Sequence, residues 1–219
     1  MGRRALRKID PELSLRDHLR ELESVDCPFD ANAFFGRRAP LEVEVGSGKG
    51  LFLNGAAGTH PDHDFVGIER ARKYARFSAA RIAKTQRSNA LMIHGDGERF
   101  FREFLLSESV FAVHVYFPDP WWKKRHKKRR VLNRTFLANT ERVLRADGCL
   151  HFWTDVEEYF RTTLELIAET TQLTGPFDVP EMAPGHDLDY CTHFERRTRL
   201  HGQPVYRATF RKRPSSPGT

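Results

Sequence analysis

Five carboxylates stand at or near the ends of five short apolar runs, and their types and order make them candidates for a binding site. Glu44 lies in LEVEV, just before Gly46-Ser47-Gly48-Lys49-Gly50; Glu69 ends DFVGIE; Asp96, Asp119 and Asp155 follow ALMIHG, VFAVHVYFP and CLHFWT. Glu42 and Glu44 alternate with apolar residues, so they share one face of an extended segment. A carboxylate in a strand covered by helices is costly unless paired. Either a neighbouring Arg or Lys satisfies Glu44, or a ligand ammonium just beyond the strand end does. Glu69 lies 23 residues after Gly46, where an acidic residue beyond a glycine loop holds ribose hydroxyls. Asp96, between Gly95 and Gly97, is either a turn former or an acceptor for the exocyclic amine of an adenine. An ammonium, a ribose and an adenine together describe S-adenosylmethionine. The glycine loop is either a plain tight turn or the matching nucleoside cradle. Its GxGxG spacing fits neither a P-loop nor a dinucleotide GxGxxG, and a ligand without a pyrophosphate needs neither.

The fourth carboxylate has a different setting, FPDPWWKKRHKKRR. Pro118 and Pro120 fix two φ angles, and Pro120 biases Asp119 toward extended geometry, so this carboxylate is held rather than floppy. Seven of the eight residues from Lys123 to Arg130 are Lys or Arg, and the eighth is His126. Such a run binds phosphates with steep salt dependence, or is a solvated basic loop. Trp121 and Trp122 either stack on a base or cover the sheet edge. Further on, Thr192-His193-Phe194-Glu195 matches a T-x-x-E capping box, a structural role sufficient in itself.

What must position these residues is an alternation of apolar runs with helical patterns from residue 39 onward. Five β-then-α units follow one another: LEVEV (41–45), DFVGIE (64–69), ALMIHGD (90–96), VFAVHVYF (110–117) and CLHFWTD (149–155) each precede a helical stretch. The stretch NRTFLANTERVLRADG reads as one helix closed by Gly148. Parallel strands need helical crossovers, so the alternation predicts an α/β fold with a mostly parallel sheet and helices on both faces. VYRATFRK (205–212) reads as a last, antiparallel strand. Ligands of such sheets sit beyond the carboxyl ends of the strands, at the switch point in strand order. Residues 1–38 read as a basic N-terminal extension with a possible helix, 39–212 as the folded domain, and 213–219 as a disordered tail.

With 219 residues, 39% of them apolar and 17 of them Phe, the chain has the make-up of a globular protein. The formal net charge of +7 points to a polyanionic partner, nucleic acid before an anionic membrane surface. Cys27, Cys149 and Cys191 are widely spaced, which argues against a disulfide framework or a cysteine-rich zinc site and suits a reducing cytosol. No secretory signal and no run of about 20 apolar residues is present.

Taken together, EVGSGKG, GIE, GD, FPDPWWKKRHKKRR, TD and THFERR, in this order between about residues 40 and 211, resemble the tRNA (guanine-N7-)-methyltransferase family of the TrmB type. The resemblance implies a Rossmann-like class I methyltransferase fold, S-adenosylmethionine as cofactor, tRNA as partner and a cytoplasmic location. Its implied reaction is methyl transfer to N7 of a guanine in the variable loop. It also implies that Glu44, Gly46, Gly48, Glu69, Asp96 and Asp119 line the cofactor site, with Asp119 also catalytic. Lys123, Asp155, Thr192, His193, Phe194 and Glu195 would contact substrate. Arg125, His126, Lys127, Lys128, Arg129 and Arg130 would meet RNA; no metal is implied. Ser47 stands where many members carry an aromatic residue, Trp122 where His is common and His193 where Lys is common. Two competing readings are an exocyclic-amine methyltransferase, which would carry D/N-P-P-Y/F at the fourth strand end, and an RNA-binding module without activity.

Overall fold

Leu41, Val43 and Val45 need a core on one side of their strand, and the segment Leu41–Val45 is buried along its whole length. The computed structural model describes residues 6–180 and 192–214. Eight strands form one sheet in the order β1-β4-β3-β2-β5-β6-β8-β7. Here β1 is Leu19–Glu21, β2 Leu41–Val45, β3 Asp64–Glu69, β4 Ala90–His94, β5 Val110–Tyr116, β6 Leu144–Thr154, β7 Thr174–Phe177 and β8 Tyr206–Arg211. β2 pairs in parallel with β3 on one side and β5 on the other. The chain leaves β2 for β3 and β4, then returns to lay β5 against the opposite edge of β2. The switch point therefore lies between β2 and β5, and the glycine loop and Asp119 leave the sheet on either side of it.

The helices are α1 (Ala31–Phe35), α2 (Leu51–Thr59), α3 (Arg72–Lys84), α4 (Gly97–Arg99), α5 (Arg134–Val143), α6 (Glu157–Thr170) and α7 (His193–Leu200), and they cover both faces. Leu53 and Ala57 of α2 (Leu51–Thr59) and Ala75, Ala79 and Ile82 of α3 (Arg72–Lys84) pack on Phe65, Ala90 and Met92. On the other face Val43, Val66, Val113 and Leu150 meet Phe100 and Phe101 of the wide turn Phe100–Phe104. Phe136 and Leu137 of Arg134–Val143 and Ile167 of Glu157–Thr170 complete that layer. Burial on both faces explains why these strands read as near-continuous apolar runs.

The expected antiparallel end of the sheet is present: β8 runs against β6 from Cys149↔Arg211 to Thr154↔Tyr206. Two strands carry no sequence signal. β1, LRE, adds to the β4 edge with Leu19↔Met92 in register, and β7, TGPF, pairs with β8. The helix read through Gly148 ends at Val143. Buried Leu144 pairs instead with Val110, the next pair is Ala112 with Cys149, and residues 145–148 loop out between them. Residues 31–35 form the short helix within the first 38 residues, while 215–219 lie outside the described residues. No helix among the described residues is long and apolar enough to cross a membrane.

Candidate active site

Two glutamates on one face of β2 have opposite fates. Glu42 is 9% exposed and accepts from His114 Nε2 at 2.6 Å and from His63 Nδ1. Burial pushes its carboxyl up, but these hydrogen bonds and the charge of the two imidazoles more than reverse that, to about 2. Glu44, nearer the strand end, is 4% exposed, and its Oε2 has no hydrogen-bond partner among the described residues. Burial pushes Glu44 up to about 8, Ser47 and the Leu53 amide oppose the rise, and the charge of Glu69 adds to it. Of the two readings of Glu44, no Arg or Lys pairs with it among the described residues, and its Oε2 is left without a partner beneath the glycine loop.

That loop turns through left-handed backbone at Gly46, Gly48 and Gly50, with φ of 80°, 52° and 64°. Gly48 N–H donates to Glu69 Oε2 at 2.9 Å, and Ala71 N–H donates to Glu69 Oε1 at 2.8 Å. The Glu69 carboxylate is thereby oriented from both sides, with lone pairs left for further donors. Gly50 begins α2 against α3 so closely that an added Cβ would lie 2.0 Å from Ser78 Oγ. Gly50→Ala therefore combines a left-handed φ with a clash, and we expect a loss of about 1–3 kcal/mol. It reads as a lower urea midpoint at unchanged slope; an unchanged midpoint contradicts it.

Asp96 is in part the turn former that its glycines suggested. Its Oδ1 caps the following turn, accepting from Glu98 N at 2.9 Å and Arg99 N at 3.2 Å, and Oδ2 faces Arg70 Nη1 at 3.8 Å. Gly95 N–H donates to the Glu69 carbonyl at 3.1 Å, tying the third strand end to the second.

The fourth strand end is a clamp. Phe117 and Trp121 both hold positive φ, 50° and 45°, an uncommon state for bulky residues that concentrates at functional sites. Between them stand Pro118, the exposed Asp119 and Pro120. Phe117 N–H donates to the Trp153 carbonyl at 2.8 Å, and Arg130 Nε donates to the Pro120 carbonyl at 2.8 Å. Arg130 also lies 4.4 Å over the Tyr159 ring. Burial raises the Tyr159 phenol, Arg130 opposes the rise and Asp119 adds to it, so the carboxylate lies within electrostatic reach of this pair.

Beyond the clamp, Lys124–Arg129 forms a tight helical turn with Lys123, Arg125, Lys128 and Arg129 exposed and His126 and Arg130 partly covered. Asp155 is exposed just beyond β6. Thr192 caps α7 (His193–Leu200), accepting from Glu195 N at 2.9 Å. Glu195 is 3% exposed and accepts from Arg207 at 3.1 Å and Arg199 at 3.4 Å. The Thr192 half of the capping box is thus present, and Glu195 anchors its helix. Phe194 remains outward and stacks on Phe117 at 6.1 Å and 19°, which brings α7 against the clamp. The side chains of Lys127 and His193, and all of Cys191, lie outside the described residues.

Sequence reading missed the histidines below Glu44. His114 shares Glu42 with His63, bonds Tyr116 Oη at 2.9 Å and stacks on His151 at 4.9 Å and 8°. Burial pushes His151 down to about 3, and the charge of His114 adds to that while Glu42 opposes it. The signal was available: VHVY and LHFW place a histidine at the same inward position of adjacent strands. One cleft, about 460 Å³ beside His18, Arg20, Phe34 and Gln86, lies by the segment that enters β4, the rim opposite the one where such sheets bind ligands.

A family model described as "Putative methyltransferase" matches residues 38–208. A tRNA (guanine-N(7)-)-methyltransferase of Rhodopirellula baltica is 49% identical, over 97% of this chain and 81% of its own. One from Dechloromonas aromatica is 34% identical, over 85% of this chain and 75% of its own. Among solved structures, a variant of the 16S rRNA (adenine(1408)-N(1))-methyltransferase from Catenulisporales acidiphilia, with cosubstrate SAM, aligns with a TM-score of 0.58. It is 17% identical over 87% of this chain and 95% of its own, so that likeness is one of fold.

Proposed function

The chain belongs to the tRNA (guanine-N7-)-methyltransferase family, and on that footing we propose that it methylates N7 of a guanine in the variable loop of tRNA in the cytoplasm. The carrying observation is a juxtaposition at the switch point. A buried carboxyl with one unpartnered oxygen, Glu44, lies one residue before the end of β2, while a clamped exposed carboxylate, Asp119, follows the adjacent β5 and heads a cationic turn.

The residues fit S-adenosylmethionine. Glu44 would take its ammonium, Glu69 the ribose hydroxyls and Asp96 the adenine amine, with the backbone of Gly46 and Gly48 close against the ligand. When bound, this cofactor supplies an electrophilic methyl group. Guanine N7 has a free lone pair and no proton to lose, so the chain has to orient the base and stabilise the positive charge that the ring gains. Asp119, with Asp155 at the next strand end, would accept from guanine N1–H and the N2 amine. Adenine lacks that pair of donors, and bonds to an anion strengthen as the base becomes cationic.

The cations beyond Asp119 would hold phosphates, which carry affinity but no base identity. If the four exposed cations Lys123, Arg125, Lys128 and Arg129 each meet one phosphate, log K for tRNA falls against log salt with a slope of about −3 to −4. Filter binding across a salt series measures it, and a flat line removes this loop from the RNA interface.

Incubation with labelled S-adenosylmethionine and unmodified tRNA, then digestion and nucleoside mapping, tests the reaction. The expected product is 7-methylguanosine from the variable loop. A methyl group on an exocyclic amine supports the competing methyltransferase class, and no transfer supports the binding module.

A further inference from the structure

Two neighbouring tryptophans in the clamp differ in what surrounds them. Trp121 is closed in by its own loop: the His126 ring meets it edge-on at 5.8 Å, and the Arg129 guanidinium lies 5.2 Å over its face. Trp122 is 65% exposed, more than any other large apolar side chain among the described residues. Packing does not explain it, because a tryptophan usually buries most of a large ring.

The backbone that carries this indole is held. Pro120 precedes the pair and its carbonyl accepts from Arg130 Nε at 2.8 Å, while Trp121 is fixed at φ 45° with its ring packed. Exposed Lys123 and Arg125 follow directly, and Asp119 lies three residues before. An aromatic face on a cationic track is how proteins hold unpaired nucleic acid: the cations follow the phosphates and the ring stacks a base. A ring on a held backbone has only its two χ angles to order on binding, which favours affinity.

We infer that Trp122 is a positioning residue that stacks on an unpaired base of the RNA substrate and so presents the target guanine to Asp119, whereas Trp121 only shapes the loop. This rests on the tRNA methyltransferase reading. An indole face attracts any base, so it contributes affinity and placement while Asp119 supplies base identity.

The test compares wild type, Trp122→Phe and Trp122→Ala in steady-state methylation of unmodified tRNA, with calorimetric binding of S-adenosylmethionine as a check on folding. For Trp122→Ala, kcat/KM for tRNA is expected to fall about 10- to 100-fold, with cofactor affinity and the salt slope of tRNA binding unchanged. Trp122→Phe keeps a stacking face and should stay within about threefold of wild type. Tryptophan fluorescence adds a readout independent of turnover: single-stranded RNA should quench wild type more than Trp122→Phe. Wild-type kcat/KM in Trp122→Ala overturns the inference, as does an equal loss in both variants or a shallower salt slope in Trp122→Ala. No methylation by wild type would instead overturn the reading on which it rests.

Discussion

Asp119→Ala lowers the turnover number with tRNA by about 10²–10³-fold, the usual effect of removing a preorganised group that stabilises developing charge. S-adenosylmethionine binding stays within a few-fold. The reasons are geometric and electrostatic. Two prolines and two left-handed neighbours, Phe117 and Trp121, hold the carboxylate, so no ordering is needed when the base arrives. The bonds it would make to guanine gain strength only as the ring turns cationic, which places the loss in kcat rather than in ground-state affinity. Asp119→Asn separates charge from shape: an amide of the same size keeps one acceptor and loses the anion, so most of the defect should persist. Single-turnover kinetics on saturating tRNA measures both variants. Near wild-type methylation by Asp119→Ala would remove this role, and full activity of Asp119→Asn would make the group a positioner rather than a charge stabiliser.

Glu44→Gln weakens S-adenosylmethionine binding by about 30-fold or more at pH 8, the range found when one member of a buried charge pair is removed. The substitution also changes how affinity depends on pH. With burial holding its carboxyl up at about 8, Glu44 carries a proton at neutral pH in the cofactor-free fold. A ligand ammonium must displace that proton, so wild-type affinity should rise about tenfold per pH unit up to 8 and then flatten. The glutamine variant has nothing to displace. Titration of the ligand's own amine is common to both proteins and cancels in the ratio of their dissociation constants. Stability carries the same signature. Because the folded pKa lies above the ordinary 4.5, Glu44 contributes stability that is fully present below about pH 4.5 and is lost as pH rises through 8. Urea midpoints of the cofactor-free proteins should therefore diverge across that interval, with wild type losing ground to Glu44→Gln. Calorimetric affinity profiles that run parallel from pH 6 to 8 would show that Glu44 does not meet the ammonium.

The sequence was legible where burial forced its composition. The five central strands, sheathed by helices, had to be apolar throughout, and each stood out because an acid interrupted or followed it. The antiparallel VYRATFRK strand and the class I methyltransferase fold followed from the same pattern and from the resemblance. Short edges were not legible. Leu19–Glu21 and Thr174–Phe177 owe their extended state to β4 and β8, and Gly175 and Pro176 within the latter speak against a strand on propensity alone. The end of the helix at Val143 was misplaced because Leu144 has good helix propensity, and only its buried pairing with Val110 draws it into the sheet. Within the site, Glu44 could be read because an acid in a buried strand demands a partner. The fates of Asp96 and Glu195 depended on which backbone amides and guanidinium groups the fold brought near them, and spacing alone does not carry that information.

The order of strands has a consequence for synthesis. β8 leaves the ribosome after the other seven strands of the described sheet, yet it lies between β6 and β7 in it. β7, made earlier, has no other strand to pair with among the described residues and must wait for it. β8 also carries Arg207, which holds Glu195 of α7, the helix whose Phe194 stacks on Phe117 beside Asp119. A nascent chain can therefore form its glycine loop and the six parallel strands around it while the helix next to Asp119 still lacks its Arg207 contact. The glycine loop is shaped early in the life of each molecule, and the surface beside Asp119 is finished only when β8 slides into its gap.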